Sequence, residues 1–163
     1  MSKTNLNFYD KTDTDFSKSI AFLLFKNTLM LGRLADLYLA PIDLTSSQMR
    51  ILMMIGYGAC NQVSMISKKL GSNAAGVVRT LDRLEEKQWI KRTRSEVDRR
   101  EVLLELTPTG MELIKKIPGS LSELLNDSLM GFTNEEFELM KNLLDRMIIN
   151  NLALLQEIEL KVA

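Results

Sequence analysis

Apolar positions along this chain change period twice, and each change marks a boundary. After a polar arm of about fifteen residues, "FSKSIAFLLFKNTLMLGRLADLYLA" sets Phe16, Ile20, Leu23, Leu24, Met30, Leu31, Leu34, Leu37 and Tyr38 at helical spacing. One long helix ended by Pro41 is predicted. "LTSSQMRILMMIGYG" predicts a second helix, with Thr45 as N-cap, Gln48 completing a capping box, and Gly56 and Gly58 closing it. "VSMISKKLG" is a short third helix with Ile66 and Leu70 facing inward and Gly71 supplying the turn. "SNAAGVVRTLDRLEEKQ" is a fourth, capped by Ser72, with a core face of Ala74, Val77 or Val78, Leu81 and Leu84. Two short helices joined through a tight glycine-containing turn make a helix-turn-helix.

The period then becomes alternating. "WIKRTR" and "EVLLELT" predict two short strands around "SEVDR", with Val102, Leu104 and Leu106 on one face of the return strand. Thr107 followed by Pro108 is a helix start. That helix is expected to run towards Met130 with a kink at Pro118-Gly119. Thr133 and Glu136 form another capping box, opening a last helix from Asn134 to Leu160. Its stripe of Phe137, Met140, Leu143, Leu144, Met147, Ile148, Leu152, Leu155 and Ile158, added to that of the first helix, exceeds what a domain this small covers alone. A homodimer is the expectation, and a compact monomeric helical core the alternative. The fold class is mainly α with a small β-hairpin wing: a winged helix-turn-helix domain plus long terminal dimerisation helices. Residues 1–163 are expected to form a single domain, with 16–40 and 108–160 as dimerisation helices around a lobe at 45–107.

Composition narrows the function. No histidine occurs in the chain, and no G-x-G-x-x-G, P-loop or G-x-S-x-G motif, so the usual general base and the usual phosphate cradle are both missing. No paired carboxylates stand in a convincing arrangement. The expectation is no enzyme, no catalytic residue, no cofactor and no metal. The single cysteine, Cys60, excludes an intramolecular disulfide. The polar start "MSKTNLNFYDKTDTD" does not read as a secretory signal, and no apolar run is long enough to span a bilayer, which gives a cytoplasmic protein with no membrane partner.

The net charge of zero conceals a segregation: Lys68 to Arg100 holds ten basic and five acidic residues, against eleven basic and sixteen acidic elsewhere. On charge alone, a nucleic-acid contact surface and an ordinary solvated face stand level. The hairpin loop tips the balance. Lys91, Arg92, Arg94, Arg99 and Arg100 have only Glu96 and Asp98 beside them in sequence. Like charges this close favour the arrival of something anionic.

The order of helix, helix-turn-helix, arginine hairpin and long helices resembles the MarR/SlyA family of winged helix-turn-helix transcription regulators, over residues 16 to 160. The family's D-x-R wing motif and following L-T-x-x-G correspond to Asp98, Arg99 and Arg100, then Leu106, Thr107 and Gly110. "VVRTLDRLEEKQWIKR" is similar to the SlyA branch around its recognition helix. One departure is Gln88, where the family usually has glycine after that helix. Gln88 must either take a left-handed conformation or end the helix differently.

The resemblance implies a two-fold dimer on double-stranded DNA, reading a pseudo-palindromic operator with one recognition helix per half-site. Asn73, Ala74, Ala75 and Gly76 would lie nearest the base edges, Asn73 pairing with adenine. Arg79 would read guanine or hold phosphate, and Thr80 would touch the backbone. For Arg83 an ion pair with Glu86 or Asp82 is the favoured reading. Arg99 or Arg100, Arg100 first, would enter the minor groove with Asp98 orienting it. Lys91, Arg92 and Arg94 would neutralise phosphates.

Family members commonly release DNA on binding a small aromatic or phenolic acid, and repression is the commoner outcome. Arg33, Tyr38, Met49, Arg50, Met53, Met54 and Tyr57 are the candidates to line such an effector pocket. A packing role for the methionines and a surface role for Arg50 are at least as strong. Two alternatives stand: a winged-helix protein-interaction module, and a redox-sensing regulator built on Cys60. No cation lies near Cys60 in sequence to activate its thiol, which favours a passive apolar role.

Overall fold

The computed structural model describes residues 8–10, 15–94 and 102–162, and the chain divides into two compact units, Met1–Leu124 and Leu125–Ala163. In the first unit a short 3-10 turn at Phe16–Lys18 precedes α1, Ile20–Leu39. The expected start at Phe16 is displaced because Ser19, held extended at ψ 149°, caps α1 by accepting from the Phe22 N–H at 3.1 Å. A turn at Ala40–Ile42 ends on Asp43, at φ 56°, and leads to α2, Ser46–Gly56. The capping box at Thr45 is present in both directions: Thr45 Oγ1 accepts from the Gln48 N–H and Gln48 Oε1 from the Thr45 N–H. The elbow is fastened further by Asp36 of α1, whose carboxylate accepts from the Ser46 N–H at 2.6 Å.

Helix α3, Val63–Leu70, closes on Gly71 in the left-handed conformation, and α4, Ala74–Glu86, follows. The strands β1, Ile90–Arg94, and β2, Val102–Leu106, pair antiparallel with Ile90 opposite Leu106 and Arg94 opposite Val102. The Leu104 N–H also donates to the Asn61 carbonyl at 2.8 Å, so the α2–α3 connection lies along β2. Helix α5, Pro108–Ser128, begins in this unit and passes through Pro118 without interruption.

The hydrophobic core is flanked by two buried polar residues, Ser19 and Gln48, both engaged in helix caps. Leu39, Leu44, Leu52, Ile66, Leu81, Leu84, Ile90, Leu104 and Ile117 are fully buried, joined by Ile51, Val77, Trp89, Leu113 and Leu124. Val77 rather than Val78 is the core residue of α4, and both Val78 and Ala74 are exposed, so the core-facing stripe begins one turn later than the sequence suggests. Leu70 is only half-buried, packed against the rim of the core.

In the second unit α6, Asn134–Val162, opens on the expected capping box: Glu136 Oε2 accepts from the Thr133 N–H at 2.9 Å, and Thr133 Oγ1 from the Glu136 N–H at 3.2 Å. No residue of α6 is buried, and Leu143, Ile148, Leu152, Leu155 and Ile158 are all exposed. Among the described residues no helix is long and apolar enough to cross a membrane.

Candidate nucleic-acid interface

The candidate surface is the exposed side of α4 together with the β1–β2 hairpin. Helix α4 starts at Asn73, not Ser72. Asn73 Oδ1 accepts from the Ala75 N–H at 2.9 Å, whereas the Ser72 hydroxyl is turned back to donate to the Leu70 carbonyl at 3.2 Å. Asn73, Ala74 and Ala75 are exposed, and a Cβ added at Gly76 would meet nothing within 4 Å. The first turn is therefore open and bare. One and two turns later Arg79 and Arg83 continue the exposed strip from Ala75. Among the described residues neither arginine has an acidic partner. For Arg83 this differs from the expected ion pair with Glu86 or Asp82, of which Asp82 is engaged by Arg92. Thr80 Oγ1 donates to the Gly76 carbonyl at 3.0 Å, so its one hydrogen is used inside the helix.

The wing charges are distributed differently from their sequence neighbourhood. Arg92, read as a free phosphate contact, sends Nη2 to Asp82 and Nη1 to Glu85, both at 2.6 Å. Lys91 pairs with Glu105 on the facing strand at 2.8 Å, and Thr93 Oγ1 donates to the same carboxylate at 2.9 Å. Hydrogen bonds from Lys91 and then Thr93, with the attraction of the Lys91 charge, hold the Glu105 carboxyl below the ordinary glutamate value. Arg94 is exposed and meets no acid among the described residues. Asp98, Arg99 and Arg100 lie outside the described residues. The answering acids, Asp82, Glu85 and Glu105, come from the neighbouring helix and strand and not from the hairpin loop. Asp82 and Glu85 fall three residues apart, on one face of a helix that turns almost at once into β1, and that spacing was the available signal.

The joint between α4 and the wing explains the L-T-x-x-G stretch. Gln88 does adopt the left-handed conformation, at φ 57°. The Gln88 N–H donates to the Glu85 carbonyl and the Trp89 N–H to the Leu84 carbonyl, the closing pattern that glycine usually serves. Thr107 Oγ1 donates to the Gln88 carbonyl at 2.5 Å while accepting from the Gly110 N–H at 3.0 Å, and the Thr107 N–H donates to the Trp89 carbonyl at 3.0 Å. A Cβ on Gly110 would lie 2.0 Å from the Trp89 oxygen. Threonine and glycine are thus needed where α5 crosses the chain leaving α4. Lys87 secures the joint from the other side, reaching the Asp43 carboxylate at 2.8 Å and its carbonyl at 2.6 Å, and lying 4.4 Å from the Trp89 ring centre.

The effector candidates differ in exposure. Tyr38, Met49, Met53 and Met54 pack against the hydrophobic core, while Arg33, Arg50 and Tyr57 are exposed. A cavity of about 430 Å³ does occur at the α1–α2 elbow, but Asp36, Ala40, Asp43, Leu44, Thr45, Gln48, Arg83, Glu86 and Lys87 line it. None of the candidates is among them. Cys60 is free and buried in the core, with 2% exposure.

Known proteins are similar to this chain in sequence and in fold. A family model described as the MarR family matches residues 44–102, spanning α2, α3, α4 and the first hairpin strand. The multiple antibiotic resistance protein MarR of Salmonella typhimurium is 31% identical over 119 residues, covering 71% of this chain and 81% of that protein. The chain belongs to the MarR family. It is accordingly a transcription regulator by family and not an enzyme. MarR of Escherichia coli is 28% identical over 137 residues, covering 77% of this chain and 95% of the relative. A crystal structure of a mutant Escherichia coli MarR complexed with operator DNA superimposes with a TM-score of 0.70 at 27% identity, covering 80% or more of each chain: 83% of this one and 99% of that one. The wild-type apo form gives a TM-score of 0.75 at 27% identity, over 79% of this chain and 96% of the other.

Proposed function

We propose that this MarR family chain binds a pseudo-palindromic operator as a homodimer and represses transcription until a small aromatic or phenolic acid releases it. The observation that carries DNA binding is the α4 strip: an open, small-residue first turn followed by Arg79 and Arg83 with no acid answering them among the described residues. Small side chains let a helix approach base edges closely in the major groove, and free guanidinium groups then find guanine or phosphate. That a solved likeness, a mutant Escherichia coli MarR, was crystallised with operator DNA supports DNA binding here.

On this proposal the residues take the following roles. Asn73 has one lone pair of its side-chain oxygen engaged at the cap, which leaves its amide N–H groups as the readier contact towards a base. Ala75 and Gly76 provide the close approach, Arg79 the principal base or phosphate contact, and Arg94 a phosphate contact. Thr80 serves the helix before the DNA. Asp98, Arg99 and Arg100 are assigned to the minor groove by the family's motif, Arg100 entering it. The homodimer rests on the long helices. Helix α6 carries exposed leucines and isoleucines along 29 residues, and α1 exposes Leu23, Leu34 and Leu37, more apolar surface than monomers normally show to water. On this proposal residues 16–40 and 108–160 are the dimerisation helices and 45–107 the DNA-binding lobe of one domain.

The test is fluorescence anisotropy of the protein on a duplex from beside its own coding sequence, against a scrambled duplex, at several salt concentrations. Preference for the former, a steep fall with salt and a loss of at least tenfold in Arg79→Ala are expected. Binding indifferent to sequence and to Arg79 overturns the proposal. Adding salicylate or a related phenolic acid to the complex tests the effector, and an unchanged anisotropy across a panel of such acids rejects it.

A further inference from the structure

Arg92 sits on β1 with both guanidinium arms engaged, one on Asp82 and one on Glu85, and its side chain is only 30% exposed. The two acids belong to α4, Asp82 about one turn and Glu85 about two turns beyond Arg79. Between α4 and β1 the chain runs only through Lys87, Gln88 and Trp89, with the left-handed Gln88 as its bend. The fork therefore closes a triangle of helix, bend and strand. A guanidinium is planar and holds its N–H directions fixed, so two carboxylates gripping separate arms restrain orientation as well as distance. Swinging the hairpin about Gln88 breaks both bonds at once.

We propose that the Asp82–Arg92–Glu85 bridge is a positioning clamp that fixes the wing against the recognition helix and so sets how sharply the protein discriminates its operator from other DNA. This rests on the operator-binding proposal. A helix in one groove and a hairpin at its flank must engage the duplex simultaneously, and an angle fixed beforehand spares the ordering cost on binding. Random DNA, held by phosphate contacts alone, makes no such demand. The clamp therefore acts on specificity more than on total affinity. Arg92 is a positioning residue and does not itself touch DNA.

The sign of one experiment separates this from simple electrostatics. The double variant Asp82→Asn with Glu85→Gln removes two negative charges beside the DNA face and frees Arg92. If Arg92 were a phosphate contact or an idle surface pair, operator affinity would rise or stay level. The clamp requires the reverse: at least tenfold weaker binding to the upstream duplex, with scrambled-duplex binding unchanged or stronger. Arg92→Lys keeps the charge and loses the fork. It is expected to reduce the operator-to-scrambled ratio by a similar factor while the salt slope stays that of the parent, and a parent-like ratio overturns the clamp. Nitrogen relaxation of the Thr93 and Val102 amides reads the wing without any DNA. Larger-amplitude motion in the double variant is expected, and order equal to the parent overturns the clamp. A parent protein that shows no sequence preference, with wing order nonetheless lost in the variant, refutes the operator proposal instead.

Discussion

Replacing Gly110 with alanine is expected to be among the most damaging single-methyl changes in the lobe. The new Cβ would stand 2.0 Å from the Trp89 carbonyl oxygen, 2.9 Å from its carbon and 3.3 Å from its Cα, all backbone atoms. Ordinary contact lies near 3.5 Å, so relief needs a displacement of over about 1 Å. Trp89 cannot supply it cheaply. Its ring is buried, its N–H is bonded to the Leu84 carbonyl, and the threatened oxygen accepts the Thr107 N–H. Overpacking costs about 1–3 kcal/mol and the lost hydrogen bond about 1 kcal/mol. Better helix propensity returns about 1 kcal/mol, leaving a net loss of about 1–3 kcal/mol. Gly119→Ala is the control: Gly119 lies in the same helix, exposed, with nothing within 4 Å of its added Cβ, and a gain of about 0.5–1 kcal/mol is expected. Urea unfolding of both variants at one protein concentration, followed by circular dichroism, gives the comparison. Equal stability of the two variants would refute the steric reading of the motif.

Gln88→Gly should stabilise the lobe by about 0.5–1 kcal/mol, because the left-handed position at φ 57° penalises a side chain more than glycine's extra unfolded-state freedom costs. A urea midpoint at or below the parent's would contradict it. Gly76→Ala should raise stability by about 1 kcal/mol, since its Cβ meets nothing, yet weaken operator binding at least tenfold by holding α4 off the bases. A more stable protein with unaltered DNA affinity would remove Gly76 from the interface. Glu105 should titrate below a glutamate in a short peptide. With the folded value depressed, its support of the wing is complete above the ordinary carboxylate range and fades as pH falls through the lowered value. A carboxyl-carbon NMR titration checks this, and a midpoint at or above the peptide value contradicts it.

What the sequence revealed and what it hid divide by distance along the chain. The capping boxes at Thr45 and Thr133, the Thr107-Pro108 start and the Gly71 turn are complete within four residues, and each stands where its pattern put it. The cap of α4 slipped by one because Ser72 and Asn73 are adjacent and both suit the role, and only the folded turn decides which oxygen reaches the Ala75 N–H. The pairing of Lys91 and Arg92 was not legible in the sequence for a different reason. Arg92 is answered from seven and ten residues upstream and Lys91 from the opposite strand, partners created by the fold. The methionines were ambiguous because a flexible apolar side chain has the same spacing in a core as in a pocket.

The central claim is that two recognition helices of one dimer read one operator. Hydroxyl-radical footprinting of the protein on the duplex beside its own coding sequence tests this most directly. Two protected blocks of equal strength, related by two-fold symmetry and centred about one helical turn (about ten base pairs) apart, are the expected result. Both should vanish together in Arg79→Ala. A single asymmetric block, or uniform weak protection unaffected by that substitution, would contradict it.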